Sequence, residues 1–171
     1  MLDARTDCLV VGVRKNAQQP QSTRRIDKAT KGLIDSLMRS GDIDGRPGSA
    51  LMVPSPAGIE AKRLLLVGVG DKPDVDDFAN ATRAAARQLC SSRSVSAVGA
   101  LTEVAVSGAD PRARARMLSQ AIEEAGYRFN QLKSAEGKEA ARRECTVKRV
   151  SFLGGSTKND TSVRKLSLIH I

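Results

Sequence analysis

The 171-residue chain has a single histidine, His170, next to its last residue. A Ser-His-Asp or Cys-His relay needs an imidazole beside its nucleophile, so neither can be assembled elsewhere in the chain. Three cysteines, Cys8, Cys90 and Cys145, stand far apart with no Cys-x-x-Cys pair. They support neither a disulfide framework nor a cysteine-rich zinc site, and the expectation is buried free thiols in a reducing compartment. Asp74, Asp76 and Asp77 fall within one turn and have the chemistry to gather a metal. They also sit where a helix begins, and the backbone dipole favours negative charge there, which is the simpler reading. Asp42-Ile43-Asp44-Gly45 resembles the middle of a calcium loop. Alignment on Gly45 puts Ser40 and Leu51 at the first and last ligand positions, so turn chemistry explains the run better.

Two further patterns bear on phosphate. Gly68-Val69-Gly70 follows an apolar run and precedes a helix, as a dinucleotide-binding turn would. The third glycine position holds Pro73, and a tight turn at a strand end accounts for both glycines. Arg112, Arg114 and Arg116 alternate through the first turns of a predicted helix, where positive charge opposes the dipole. With Arg142 and Arg143 they form the candidate basic patch, for phosphate groups or an acidic partner surface, and Lys148-Arg149 adds charge to the same half of the chain. A solvated helix face is the plain alternative. No catalytic and no metal-ligating residue is assigned in this chain.

Composition limits the partners. Lys and Arg total 28 against 19 Asp and Glu, a net charge of +9. Residues 86–171 hold 15 cations and 8 anions, residues 1–85 hold 13 and 11, so the excess sits in the second half. Aromatics make up only 2%, which excludes rows of rings for base stacking. Hydrophobic residues make up 40%, enough for one packed domain built from Val, Leu, Ile and Ala. No apolar stretch approaches the ~18 residues of a membrane span, and the first residues lack the pattern of a signal peptide. The expectation is a soluble, cytoplasmic protein with no membrane partner.

The elements that must position these groups follow from periodicity. Asp7 to Val13, Ser49 to Pro54 and Lys62 to Val69 read as strands, the third apolar enough to be covered on both faces. A helix capped by Thr23 runs to about Ser40 on the stripe Ile26, Ala29, Leu33, Ile34 and Leu37, and Gly41 stops it. A second begins after Pro73 and runs to about Ser91, with Val75, Phe78, Thr82, Ala85 and Leu89 on one side. Ser94 to Leu101 reads as a strand, and Val104 to Ser107 is ambiguous. Asp110-Pro111 opens a third helix that reaches about Tyr127. Lys133 to Glu144 is charged, a loop or exposed helix, and Thr146 to Leu153 alternates like a strand. Interleaved strands and helices imply an α/β layered domain with a mixed, mostly parallel sheet.

Three stretches carry a resemblance. Ile26-Asp-Lys-Ala-Thr-Lys-Gly-Leu-Ile34 leads through Gly41-Asp42 to Gly45-Arg-Pro-Gly48; Lys62-Arg-Leu-Leu-Leu-Val-Gly-Val-Gly70 follows; Tyr127-Arg-Phe129 runs on to Lys133. In this order they resemble the amino-terminal domain of the leucyl aminopeptidase (cytosol aminopeptidase) family over roughly residues 5–155, with Leu132 where a tyrosine is usual. The resemblance implies a three-layer, macro-domain-like fold over residues 1–156, followed by a departing tail at 157–171, truncated or non-native. It implies a partner catalytic domain that holds two divalent metals, manganese or zinc, and removes amino-terminal residues from peptides. The family's metal-binding motifs are absent from this sequence, so the chain itself is expected to be inactive and to hold no cofactor. A hexameric assembly is implied, and DNA as a partner of some bacterial members. The alternatives from other classes are a free-standing macro-like module binding a phosphate ligand such as ADP-ribose through Gly68, Gly70, Gly154 and Gly155, or a basic DNA-binding module.

Overall fold

A computed structural model describes residues 5–126 and 145–153. Its strands are β1 (Cys8–Val13), β2 (Ala50–Pro54), β3 (Arg63–Gly68), β4 (Ser96–Gly99) and β5 (Arg149–Phe152). Its helices are α1 (Gln21–Ala29), α2 (Leu33–Ser40), α3 (Val75–Ser91) and α4 (Pro111–Gly126), with one 3-10 turn at Leu101–Glu103. The strands form one sheet in the order β2-β3-β1-β4-β5. β1 runs parallel to β3 and β4, β4 runs parallel to β5, and β2 lies antiparallel to β3 at one edge. The mixed, mostly parallel sheet expected from the interleaved pattern is present.

The two central strands explain their own composition. All six residues of β1 are buried, and they alternate between two cores. Cys8 and Val10 join Leu65, Val67, Phe78, Ala85, Leu89 and Phe152 under α3 and α4. Leu9, Val11 and Val13 join Leu64, Leu66, Ile26 and Ile34 under α1 and α2. A strand covered on both faces reads as a continuous apolar run, with no alternation to betray its pleat. Three layers follow: a helical pair, the sheet, a helical pair. Between the sheet and the α3–α4 pair lies an apolar cavity of about 10 Å³, lined by Leu89, Gly99, Leu118, Val150 and Phe152 among others. It offers no polar partner for a water.

The helix expected from Thr23 to Ser40 is two helices. The chain turns through the left-handed region at Lys31 (φ 57°) and Gly32 (φ 83°). The Gly32 N–H reaches back to the Asp27 carbonyl (2.8 Å), which closes α1. The Asp27 carboxylate then accepts the N–H groups of Ile34 (2.8 Å) and Asp35 (3.2 Å) and opens α2. Gly41 (φ 83°) ends α2 as expected. Thr23 is not a cap: it is the third residue of α1, and its hydroxyl donates to the Gly12 carbonyl at 2.6 Å. Asp110 does cap α4, accepting from the Ala113 N–H at 2.7 Å.

The cysteine expectation is corrected in part. Cys8 is a buried free thiol, and burial pushes its pKa up to about 12. Cys90 and Cys145 form a disulfide across 55 residues of sequence, with Cα atoms 4.3 Å apart. The end of α3 and the segment entering β5 meet beside the start of β4, a proximity that linear spacing conceals.

The amino ends of the strands are tied by Asp7. Its carboxylate receives the Lys62 ammonium at 2.7 Å and the backbone N–H groups of Val95 (2.9 Å) and Ser96 (3.1 Å). The Lys62 hydrogen bond first, then the Val95 N–H, lower its pKa from 3.8 to about 2. A depressed folded-state pKa stabilises the fold above pH 3.8 and loses that contribution as pH falls toward 2. Asp7→Asn is expected to cost about 1 kcal/mol at neutral pH, a value reduced for solvent screening. It should also flatten the loss of stability between pH 4 and 2, read by urea denaturation at each pH.

Candidate functional site at the carboxyl ends of the strands

In open α/β sheets, ligands bind outside the carboxyl ends of the parallel strands. Here that end is built from the loops that follow β1, β3 and β4, and from the turn that precedes β2. Because β2 is antiparallel, with Ala50 opposite Val67, the turn Gly45–Ser49 lies over the end of β3. The Gly68 N–H donates to the Ser49 carbonyl at 2.9 Å, and the Gly70 N–H donates to the Gly45 carbonyl at 2.9 Å. A Cβ on Gly68 would stand 2.1 Å from both the Arg46 carbonyl oxygen and Ser49 Oγ. The Gly68-x-Gly70 pair therefore admits the chain's own turn at the place where a dinucleotide site would admit a phosphate.

Two carboxylates take further donors at this end. In the loop after β1, the N–H groups of Asn16 and Ala17 converge on Asp71 Oδ1 at 2.9 and 3.1 Å. Asn16 Nδ2 adds a contact to Oδ2 at 3.3 Å. Converging backbone N–H groups make an anion-binding concavity. Asp71 occupies this one, and the Asn16 N–H first among these donors holds its carboxyl below the usual carboxylate range. The second site is the start of α1. Pro20 stands at its N-cap and offers no side-chain acceptor. Glu103, from the 3-10 turn after β4, supplies one: Ser22 donates its N–H at 3.2 Å and its hydroxyl at 2.7 Å. Glu103→Ala is expected to leave both donors without an acceptor and to cost about 1–2 kcal/mol, measured by chemical denaturation.

Neither Asp71 nor Glu103 was legible as a site residue. Their partners lie 54 to 81 positions away in sequence, and no local motif joins them.

The other candidates are distributed as follows. Asp74 caps α3, accepting from the Asp77 N–H at 2.9 Å, so this acidic cluster serves the helix start. Asp44 closes its own turn, accepting from the Arg46 N–H at 3.0 Å. Among the described residues no group of three or more His, Cys, Asp or Glu is placed to hold a metal ion. The donors among the described residues do not fit a two-metal centre. Arg112 and Arg116 are exposed on α4, but Arg114 is buried at 8% exposure. This corrects the three-arginine face. Positions two apart on a helix point to opposite sides, so only Arg112 and Arg116 share one. Arg114 donates from Nη1 to the Val104 carbonyl, and desolvation lowers its pKa. Arg142, Arg143, Gly154, Gly155, Tyr127, Phe129 and His170 lie outside the described residues.

Comparison with known proteins supplies the lineage. The chain is 37% identical over 155 residues to a probable cytosol aminopeptidase of Cupriavidus pinatubonensis, covering 87% of this chain and 30% of that protein. A probable cytosol aminopeptidase of Methylobacillus flagellatus is 36% identical over 138 residues, covering 78% of this chain and 28% of that protein. The chain thus spans less than a third of the length of the relatives it matches. In fold, it is similar to a tomato leucine aminopeptidase mutant, with a TM-score of 0.66 and 18% identity over 90% of this chain and 31% of that one. It is also similar to the macrodomain of Mycobacterium tuberculosis DarG, with a TM-score of 0.59 and 14% identity over 72% of this chain and 85% of that one. The three-layer fold is thereby shared with macrodomains. Residues 10–136 match the cytosol aminopeptidase family, N-terminal domain, and the chain belongs to that family through this domain.

Proposed function

We propose that this chain is the non-catalytic, assembly and access-shaping domain of a cytoplasmic, metal-dependent leucyl aminopeptidase. The rest of that enzyme would hold two divalent metals, manganese or zinc, and remove amino-terminal residues from peptides. The partners of this domain would be the catalytic domain and further copies of the same protein, as a hexamer. The family division at residues 156 and 157 belongs to the same reading.

One observation carries it. The carboxyl end of the sheet, where a free-standing α/β domain would hold its ligand, is occupied by Asp71, Glu103 and the Gly45–Ser49 turn. These groups are committed to backbone donors, which leaves the domain a structural task. The same observation argues against the ADP-ribose reading, because an incoming phosphate would meet two carboxylates. A DNA reading keeps only Arg112 and Arg116 of the three helical arginines, together with the proposed Arg142 and Arg143; steep loss of affinity with salt would favour it.

The test is hydrolysis of leucine p-nitroanilide by the purified chain with manganese or zinc added. No turnover above buffer is expected. Turnover that a chelator abolishes and metal restores would overturn the non-catalytic assignment.

A further inference from the structure

We propose that Cys90 and Cys145 form a thiol–disulfide switch that fastens β5 to the domain when oxidised and releases it when reduced. This goes beyond the aminopeptidase reading and does not depend on it. β5 is four residues long and, among the described residues, pairs only with β4. Beyond that four-pair ladder, the Thr146 hydroxyl donates to the Ser94 carbonyl at 3.0 Å and backbone bonds hold the two ends of the strand. Lys148 and Arg149 donate N–H groups to the Val95 carbonyl at 2.8 and 3.2 Å, and Leu153 donates to the Gly99 carbonyl at 2.9 Å. Four residues is near the lower end of strand lengths, so the ladder contributes few bonds and the strand depends on burial of Val150 and Phe152. The bridge stands at the entry of this strand. It joins Cys145 to Cys90 in the last turn of α3, one residue after Leu89. Leu89, Val150 and Phe152 line the same apolar cavity, so the bridge holds the strand against the core it helps to close.

The exposures order the chemistry. Cys145 is half-buried, whereas Cys90 is 8% exposed and Cys8 is fully buried. The Cys145 thiolate attacks a small-molecule disulfide, forming a mixed disulfide and expelling one small thiolate. The Cys90 thiolate then attacks Cys145 Sγ and expels the second. Two protein thiols become one disulfide, one small disulfide becomes two thiols, and the two cysteine protons end on those thiols. A dithiol reductant reverses both steps. Cys8 takes no part, because burial holds it as the neutral thiol.

The experiment equilibrates the full chain in oxidised or reduced dithiothreitol. Alkylation under denaturing conditions counts thiols, and hydrogen exchange by mass spectrometry follows the backbone. One free thiol is expected in the oxidised protein and three in the reduced protein. Exchange in the peptide 145–153 should rise roughly tenfold or more on reduction, while β1 and β3 change less than about twofold. Cys145→Ser should exchange like the reduced wild type and ignore the redox poise. Three outcomes would overturn the switch: three free thiols at every poise, equal protection of 145–153 in the two redox states, or loss of protection throughout the chain on reduction. The last would make the bridge a plain structural staple. The wild-type measurement decides even if the variant fails to fold.

Discussion

Gly68→Ala is expected to destabilise the domain by about 3 kcal/mol and to loosen the turn that covers the end of β3. The added methyl would lie 2.1 Å from the Arg46 carbonyl oxygen and 2.1 Å from Ser49 Oγ. The Ser49 hydroxyl can rotate away, but the carbonyl belongs to the backbone and can only move with the whole turn. That movement also breaks the 2.9 Å bond from the Gly68 N–H to Ser49 and strains the bond from Gly70 to Gly45. Gly41→Ala is the control. It has a left-handed backbone (φ 83°) and open space around it, so it should cost only the conformational penalty of about 1 kcal/mol. Urea denaturation of both variants separates the two causes. Gly68 lies in β3 without a left-handed backbone, so a loss no larger than that of Gly41→Ala would mean that the turn yields to the methyl and close approach does not require this glycine.

Phe78→Ala should cost more, about 3–5 kcal/mol. Phe78 is fully buried in α3 and is the largest fully buried side chain among the described residues. It belongs to the same core cluster as Val67, Val69, Ala81, Val104 and Val106, so its removal opens a void between the sheet and the α3–α4 pair. A natural domain has only about 5–15 kcal/mol to lose, so this variant should be near the limit of folding. For a chain of this length the melting temperature should drop by roughly 10 °C. Phe78→Leu should recover most of the loss, since it leaves a smaller void. A loss under about 1 kcal/mol for the alanine variant would contradict the packing described here.

The sequence disclosed most where one physical cause acted locally. β1 and β3 were legible as unbroken apolar runs because both faces of each are covered. Asp110-Pro111 was legible as a helix start because cap and first turn are neighbours. The α1–α2 break was missed because one apolar stripe continues across it. Its cause is the carbonyl and carboxylate of Asp27 acting on residues 32 to 35. The alternating arginines do not make one face, because helical geometry turns Arg114 inward to the Val104 carbonyl. The candidate site was nearly invisible. Gly68 and Gly70 signalled a close approach, but what approached them comes from Gly45 and Ser49. Glu103 meets Ser22 across 81 positions, and Cys90 meets Cys145 across 55. Only the folded sheet brings those pairs together.

The carboxyl end of the sheet is occupied by the chain's own groups, and on the proposed reading the domain serves an aminopeptidase rather than a phosphate ligand. The most direct test is the melting temperature of the full chain with and without ADP-ribose at about 1 mM. The account predicts no change. A ligand with a dissociation constant near 10 µM would be at about 100 times that value and would add about 2.7 kcal/mol. That corresponds to a rise of roughly 5–10 °C for a chain of this length. Such a rise, lost in Gly68→Ala, would contradict the account and assign this end of the sheet to a phosphate ligand.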